Sequence, residues 1–278
     1  MADTIITGAT RGIGHALALE LAGRPGERLI LVGRDRARLD ELTSAITART
    51  GKAVAVPGDL GSLAGAHALA ARLREVIEPG ATLVHNAGLW PARRTLTADG
   101  LEEAFVVNHL GPYALQCALL PGELLRRVMV VSAGLIALGR FDRDRTPQGE
   151  DFSRLRTYCT TKLCFAVAMR ALAREHHELD MVVLHPGVVR TDLGTRPGLL
   201  GRLMSVGKHI LESPQDCARR LAKVLDRPRW SPPGSASWLR EDEERPWPKA
   251  ARDEEVARAV REVTEALLQA RAPVSPPG

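Results

Sequence analysis

Aromatic side chains are scarce. Phe, Tyr and Trp together make up 4% of the 278 residues, with only 2 tyrosines, so aliphatic side chains must build the core. The chain has 4 cysteines, Cys117, Cys159, Cys164 and Cys217, and none stands in a CxxC pair or a zinc-like cluster. With no signal peptide, that usage fits reduced thiols in a cytoplasmic protein rather than a disulfide framework. No apolar run approaches the ~18 residues of a membrane helix. No long block of one charge sign occurs either, as in the interleaved Arg140-Phe141-Asp142-Arg143-Asp144-Arg145. The net charge of +5 and pI of about 9.3 allow an anionic ligand without requiring nucleic acid.

What is present is an alternation of short apolar runs and amphipathic stretches. Ile5-Ile6, Leu29-Ile30-Leu31-Val32, Ala53-Val54-Ala55-Val56, Leu83-Val84-His85, Val128-Met129-Val130-Val131 and Met181-Val182-Val183-Leu184 read as strands. Helical patterns separate them, over 13–21, 36–50, 62–77, 101–125 and 156–176. Further helices are expected over 214–225, capped by Ser213, and over 253–270, with a last strand over 235–239. This order predicts an α/β fold: a single doubly wound Rossmann domain over residues 1–272, its mostly parallel sheet flanked by helices on both faces. Glycine-containing residues 194–213 read as a substrate lid, and 273–278 as a flexible tail.

In such a sheet, ligands bind beyond the carboxyl ends of the strands, and that is where the distinctive residues fall. Gly8, Gly12 and Gly14, in Thr7-Gly8-Ala9-Thr10-Arg11-Gly12-Ile13-Gly14, lie between the first strand and the first helix. Glycines there let backbone approach a pyrophosphate, and the helix N-terminus offers free N–H groups. A tight turn that binds nothing is the alternative. At the end of the second strand, where an NAD site places a carboxylate, the chain has Gly33 followed by Arg34, with Arg11 in the glycine loop. Two guanidiniums suit a 2′-phosphate, which favours NADP over NAD. Asp59 is a candidate partner for the adenine amine, or a cap for the next helix.

Tyr158 and Lys162 are spaced to share one face of a helix. A tyrosine that exchanges a proton near neutral pH needs a nearby cation, and the Lys162 ammonium is placed to lower its pKa. His85, His109 and His185 have no partner pattern that suggests a metal site.

Taken together, these motifs resemble the classical short-chain dehydrogenases/reductases. The resemblance rests on Thr7–Gly14, Asp59, Asn86-Ala87-Gly88, Asn108, Ser132, Tyr158/Lys162 and His185-Pro186-Gly187-Val188-Val189-Arg190-Thr191-Asp192, and spans essentially the whole chain. Val107-Asn108-His109-Leu110-Gly111 and Leu184-His185-Pro186-Gly187-Val188-Val189-Arg190-Thr191 are similar to the retinol-dehydrogenase-like branch. The resemblance implies an Asn108–Ser132–Tyr158–Lys162 catalytic tetrad. It also implies cofactor contacts from Gly8, Thr10, Arg11, Gly12, Ile13, Gly14, Arg34, Asp59, Leu60, Asn86, Ala87, Gly88, Tyr158, Lys162, Pro186, Gly187, Val189 and Thr191. One departure stands out: Val131-Ser132-Ala133-Gly134 sets Ala133 at the family's serine slot under strict alignment, and a slip of one residue restores Ser132.

The expected function is an NADP-dependent oxidoreductase that interconverts an alcohol and a ketone or aldehyde. Residues 89–95, 135–155 and 194–210, with Trp90 and Met204, would select an apolar small-molecule substrate. Two other readings stay open: a non-catalytic NADP(H)-binding regulator, and a nucleotide-sugar epimerase or dehydratase. No nucleic-acid or membrane partner is expected. A homodimer or homotetramer is expected by resemblance, with Leu115, Leu119, Phe165, Val167 and Met169 as contact or core residues.

Overall fold

The computed structural model describes residues 2–49, 51–189 and 212–271. Strands β1 (Ala2–Thr7), β2 (Glu27–Gly33), β3 (Lys52–Pro57), β4 (Ala81–His85), β5 (Leu125–Val131), β6 (Asp180–His185) and β7 (Ala236–Arg240) run parallel, and β8 (Glu243–Glu244) returns antiparallel to β7. The sheet order is β3-β2-β1-β4-β5-β6-β7-β8. The order reverses between β1 and β4, which opens the crevice where a doubly wound sheet takes its ligand.

Alternation along the strands divides the interior into two cores. Ile5, Ile30, Val128, Val130 and Val183 pack in the one that holds α3 (Leu63–Val76), α5 (Gly111–Leu119), α6 (Arg154–Glu175) and α9 (Glu254–Ala270). Ile6, Leu31, Met129, Val131 and Val182 pack in the other, with α1 (Gly12–Leu21), α2 (Arg36–Thr47) and α7 (Pro214–Leu225). Strands with both faces covered by helices need apolar residues throughout, which is why β2, β5 and β6 appear in the sequence as unbroken runs. A short helix, α8 (Lys249–Arg252), precedes α9.

The stretch expected as one helix over 101–125 is broken. Helix α4 (Glu103–Phe105) leads into a π-helical turn, Val106–Leu110, in which the Gly111 N–H donates to the Val106 carbonyl, and then into α5. The helix stops at Leu119, ahead of Pro121-Gly122, and β5 has begun by Leu125.

Leu115, Leu119, Phe165, Val167 and Met169 are all buried within the chain itself, so none remains as a contact surface. Helix α9 covers this face: Arg170 and Arg174 both pair with Glu254, and His109 Nε2 lies 2.8 Å from Thr264 Oγ1. The expected lid falls almost wholly outside the described residues, as do Thr191, Met204 and the tail. Glu212 and Ser213 are described, and Ser213 caps α7 by accepting from the Asp216 N–H at 3.0 Å. All four cysteines are free thiols. Among the described residues, no helix is long and apolar enough to cross a membrane.

Candidate active site

The glycine loop joins β1 to α1 at the switch point. Gly8 has φ +68°, the left-handed region that favours glycine. A Cβ on Gly14 would lie 2.4 Å from Asn86 Nδ2 and 2.5 Å from the Gly8 carbonyl oxygen, so only glycine fits. Asn86 ties the two neighbouring loops together: its Nδ2 donates to the Thr7 carbonyl at 2.9 Å and to the Gly8 carbonyl at 3.3 Å. Thr7 Oγ1 accepts from the Asn86 and Ala87 N–H groups at 3.0 and 3.1 Å and donates to the Val84 carbonyl at 3.3 Å. Thr7→Val strands these groups in a buried place. It is expected to lower stability by about 2 kcal/mol in a denaturant titration, at roughly 1–3 kcal/mol per buried unpaired group.

The start of α1, like those of α5 and α8, carries no side-chain cap. Side chains cap α2 (Asp35), α3 (Ser62), α6 (Ser153), α7 (Ser213) and α9 (Asp253), but Arg11 leaves the first N–H groups of α1 without a side-chain cap. Free N–H donors and the positive end of the helix dipole, approached only by glycine backbone, form a cradle for a phosphate. The residues present therefore fit a dinucleotide. The Arg11 and Arg34 side chains are exposed and make no hydrogen bond or ion pair with described residues. Asp35 is engaged by Arg38, through a backbone bond of 3.2 Å and an ion pair of 3.2 Å. Asp59 accepts from the Gly61 N–H at 3.0 Å, and Ser62, not Asp59, caps α3.

The second half of the site lies beyond β4 and β5 and on α6. Asn108, held in the π-turn, brackets Leu89: its Oδ1 accepts from the Leu89 N–H at 2.8 Å, and its Nδ2 donates to the Leu89 carbonyl at 2.9 Å. Asn108 Nδ2 also donates to Thr161 Oγ1 at 3.1 Å, and the Thr161 hydroxyl donates to the Tyr158 carbonyl at 3.2 Å. Lys162 Nζ donates to the Val131 carbonyl at 3.2 Å. A Cβ on Gly88 would meet Lys162 Nζ at 3.0 Å and Asn108 Oδ1 at 3.1 Å, which shows how closely Asn86-Ala87-Gly88, Asn108 and Lys162 converge.

Burial governs the charges here. It pushes the Tyr158 phenol up to about 12 and the Lys162 ammonium down to about 8. The sequence expectation that Lys162 lowers Tyr158 is thus not met in this arrangement, where the ammonium is turned to the Val131 carbonyl and desolvation dominates both groups.

Strand alternation decides which way Ser132 faces. Val128 and Val130 share a core with Leu163 and Phe165 of α6, and Met129 and Val131 share the other with Leu17 of α1. The extended course continues past β5, because the Ser132 N–H donates to the Leu184 carbonyl at 2.8 Å and Ala133 has φ −148° and ψ 145°. Continued alternation would set Ser132 toward α6 and Ala133 toward the opposite face. Ser132 Oγ is buried and has no hydrogen-bond partner among the described residues.

The Pro186-Gly187 loop is pinned from α7. Arg220 Nη2 donates to the Pro186 carbonyl at 2.6 Å while its guanidinium pairs with Glu212. Val189 bridges to Glu212. The histidines are occupied elsewhere: His85 Nε2 lies 3.0 Å from Gln116 Oε1, and burial holds His85 down to about 4 and His109 down to about 3. Among the described residues, no group of three or more His, Cys, Asp or Glu is placed to hold a metal ion. Sequence reading did not find Thr161, Arg220 or the stacking of Trp90 on Tyr158, whose ring centroids are 4.2 Å apart with planes inclined by 23°. No spacing rule signals these contacts, which arise where separate loops meet.

Comparison with known proteins places this geometry. A family model described as short chain dehydrogenase matches residues 3–135. Human retinol dehydrogenase 14 is 31% identical over 288 residues, covering 95% of this chain and 85% of the human protein. The chain belongs to the short-chain dehydrogenase/reductase family. Within it, the chain falls in the retinol-dehydrogenase-like branch. The mouse retinol dehydrogenase 14 is 34% identical over 207 residues, a match that spans 68% of this chain and 62% of that protein. Mouse polyprenol dehydrogenase is 31% identical, over 91% of this chain and 80% of its own length. Among solved structures, a Burkholderia cenocepacia short chain dehydrogenase in complex with NADP has a TM-score of 0.67 at 21% identity, over 86% of this chain and 96% of that one, a likeness of fold. As a short-chain dehydrogenase/reductase, the protein is an oxidoreductase of a family that binds a nicotinamide cofactor and acts on small molecules.

Proposed function

We propose that this short-chain dehydrogenase/reductase is an NADP(H)-dependent enzyme that interconverts an alcohol and a ketone or aldehyde on an apolar substrate, with Tyr158 as the acid/base. The observation that supports the reading is the meeting of Asn108 and Lys162 at Gly88, with Asn108 reaching the Tyr158 carbonyl through Thr161, in a fold whose glycine-lined start of α1 carries no side-chain cap. In the reducing direction the Tyr158 hydroxyl gives its proton to the carbonyl oxygen, and in the oxidising direction it takes the proton back. Ser132 Oγ, free to donate, orients the substrate oxygen. Lys162 supplies a positive charge on the same helix face. Asn108 acts on Tyr158 only indirectly, through Thr161 and Leu89. The nicotinamide, when bound, supplies or accepts the hydride.

Gly8, Thr10, Arg11, Gly12, Ile13, Gly14, Asn86, Ala87 and Gly88 would hold the dinucleotide at the switch point. Asp59 and Leu60 would hold its adenine end, and Pro186, Gly187, Val189 and Thr191 its nicotinamide end. Preference for NADP is supported at the end of β2. A Cβ on Gly33 would lie 2.7 Å from Thr10 Cγ2, so no carboxylate has room there. Arg34 and Arg11 stand exposed and unclaimed nearby in the chain. An apolar substrate is supported by exposed leucines around the site: Leu135 and Leu138 (36% and 58% exposed) follow Ser132, and Leu155 (49%) lies one helical turn before Tyr158.

Fluorescence titration with NADPH and NADH tests the cofactor half of the reading. Arg34→Ala is expected to weaken NADPH binding by at least about tenfold, since a charge-assisted hydrogen bond contributes roughly 1.5–3 kcal/mol, and to leave NADH binding little changed. Equal losses for both dinucleotides, or tighter binding of NADH by the wild type, would exclude the 2′-phosphate role of Arg34.

A further inference from the structure

We propose that Trp90 is the positioning residue of Tyr158: stacked on one face of the phenol ring, it fixes the ring plane and keeps water from that face, leaving the hydroxyl edge for substrate. The proposal rests on Tyr158 being the acid/base.

The stack is not ordinary core packing. Neither Trp90 nor Tyr158 belongs to either of the two cores that fill the protein. Tyr158 is the one ring that Trp90 contacts among the described residues. Trp230 and Trp247 are held by hydrogen bonds from Nε1 to the Val224 and Ala236 carbonyls, whereas the Trp90 indole N–H makes none with described residues. Among the described residues, the stack is the one directional contact of this side chain. The two rings lie close to parallel and in contact, their planes inclined by 23°.

The stack also closes a loop of constraints. Asn108 grips both backbone groups of Leu89, the residue next to Trp90, and reaches the Tyr158 carbonyl through Thr161. One asparagine thus fixes both partners, the tryptophan through its loop and the tyrosine through its helix. Tyr158 is 7% exposed, and Trp90, which is half-buried, takes part of the surface that water would otherwise wet. Removing the indole hydrates the ring and eases ionisation of its phenol.

With 2 tyrosines in the chain, Tyr113 is an internal control. Both are nitrated with tetranitromethane near pH 8, a reaction of the phenolate, and quantified by peptide mass spectrometry in wild type, Trp90→Ala and Trp90→Phe. The expected result is Tyr158 nitration about tenfold faster in Trp90→Ala, the consequence of about one unit lower pKa, near-normal in Trp90→Phe, and Tyr113 unchanged throughout. Turnover is expected to follow, with kcat lowered in Trp90→Ala, restored in Trp90→Phe, and NADPH affinity constant. Tyr158 nitration at the wild-type rate in Trp90→Ala, or equal acceleration of both tyrosines, would overturn the proposal. If wild-type protein reduces no carbonyl, the acid/base reading of Tyr158 fails, while the nitration rates still decide whether Trp90 shields the ring.

Discussion

Tyr158→Phe is expected to lower kcat for carbonyl reduction by about 10³-fold, within the 10²–10⁴ range for loss of a positioned general acid, while NADPH binds as before. The substitution removes only the hydroxyl. The ring keeps its stack on Trp90, and the Tyr158 carbonyl keeps its bond from Thr161, because neither involves the phenolic oxygen. The glycine loop, Asn86 and Arg34 lie on other segments and retain their geometry. A loss confined to kcat, with cofactor affinity unchanged within about twofold, separates proton transfer from binding. Retention of turnover would move the acid/base role to another group, with the unpartnered Ser132 hydroxyl the nearest in function.

The largest expected effect on stability lies at the other end of the sheet. Asp3 and Arg28 face each other in register at the starts of β1 and β2. Arg28 Nε and Nη2 donate to the two Asp3 oxygens at 2.8 and 2.7 Å, and the Asp3 side chain is fully buried. Asp3 Oδ2 also accepts from the Glu78 N–H at 2.8 Å, and Arg28 Nη2 donates to the Val76 carbonyl at 2.9 Å. Arg28→Met leaves a buried carboxylate without its cation, a change that costs about 3–5 kcal/mol. Because Arg28 itself is partly exposed, about 3 kcal/mol is expected, with a fall in Tm of roughly 5 °C. The catalytic constants of the folded enzyme should not move, since Asp3 lies five residue steps along β1 from Gly8, about 16 Å at roughly 3.3 Å each. Adding Asp3→Leu to Arg28→Met is expected to recover part of the loss. A Tm unchanged in the single variant would contradict the assignment of this pair as a structural anchor.

The strands were legible because burial on both faces demands continuous apolar runs, and β2, β4, β5 and β6 satisfy that demand. β8 was not legible: Glu243–Glu244 carries no apolar pattern, and its pairing with β7 follows a turn at Glu241 with φ 65°. The π-turn at Asn108 was hidden for a different reason. Inserting one residue into a helical turn changes which carbonyl accepts, not which residues are apolar, and the pattern over 101–125 reads as helix either way. At the site, the motifs located Asn108, Tyr158 and Lys162, but their electrostatics depend on burial and on where the lysine turns, which sequence spacing does not encode.

The most direct measurement is the consumption of NADPH, followed by absorbance, when the wild-type protein meets a panel of apolar ketones and aldehydes, with NADH and Tyr158→Phe run in parallel. The account predicts that at least one carbonyl is reduced with NADPH, more slowly with NADH, and at a rate about 10³-fold lower by Tyr158→Phe. Tight NADPH binding with no consumption across the panel would contradict it and would identify a cofactor-binding protein without turnover.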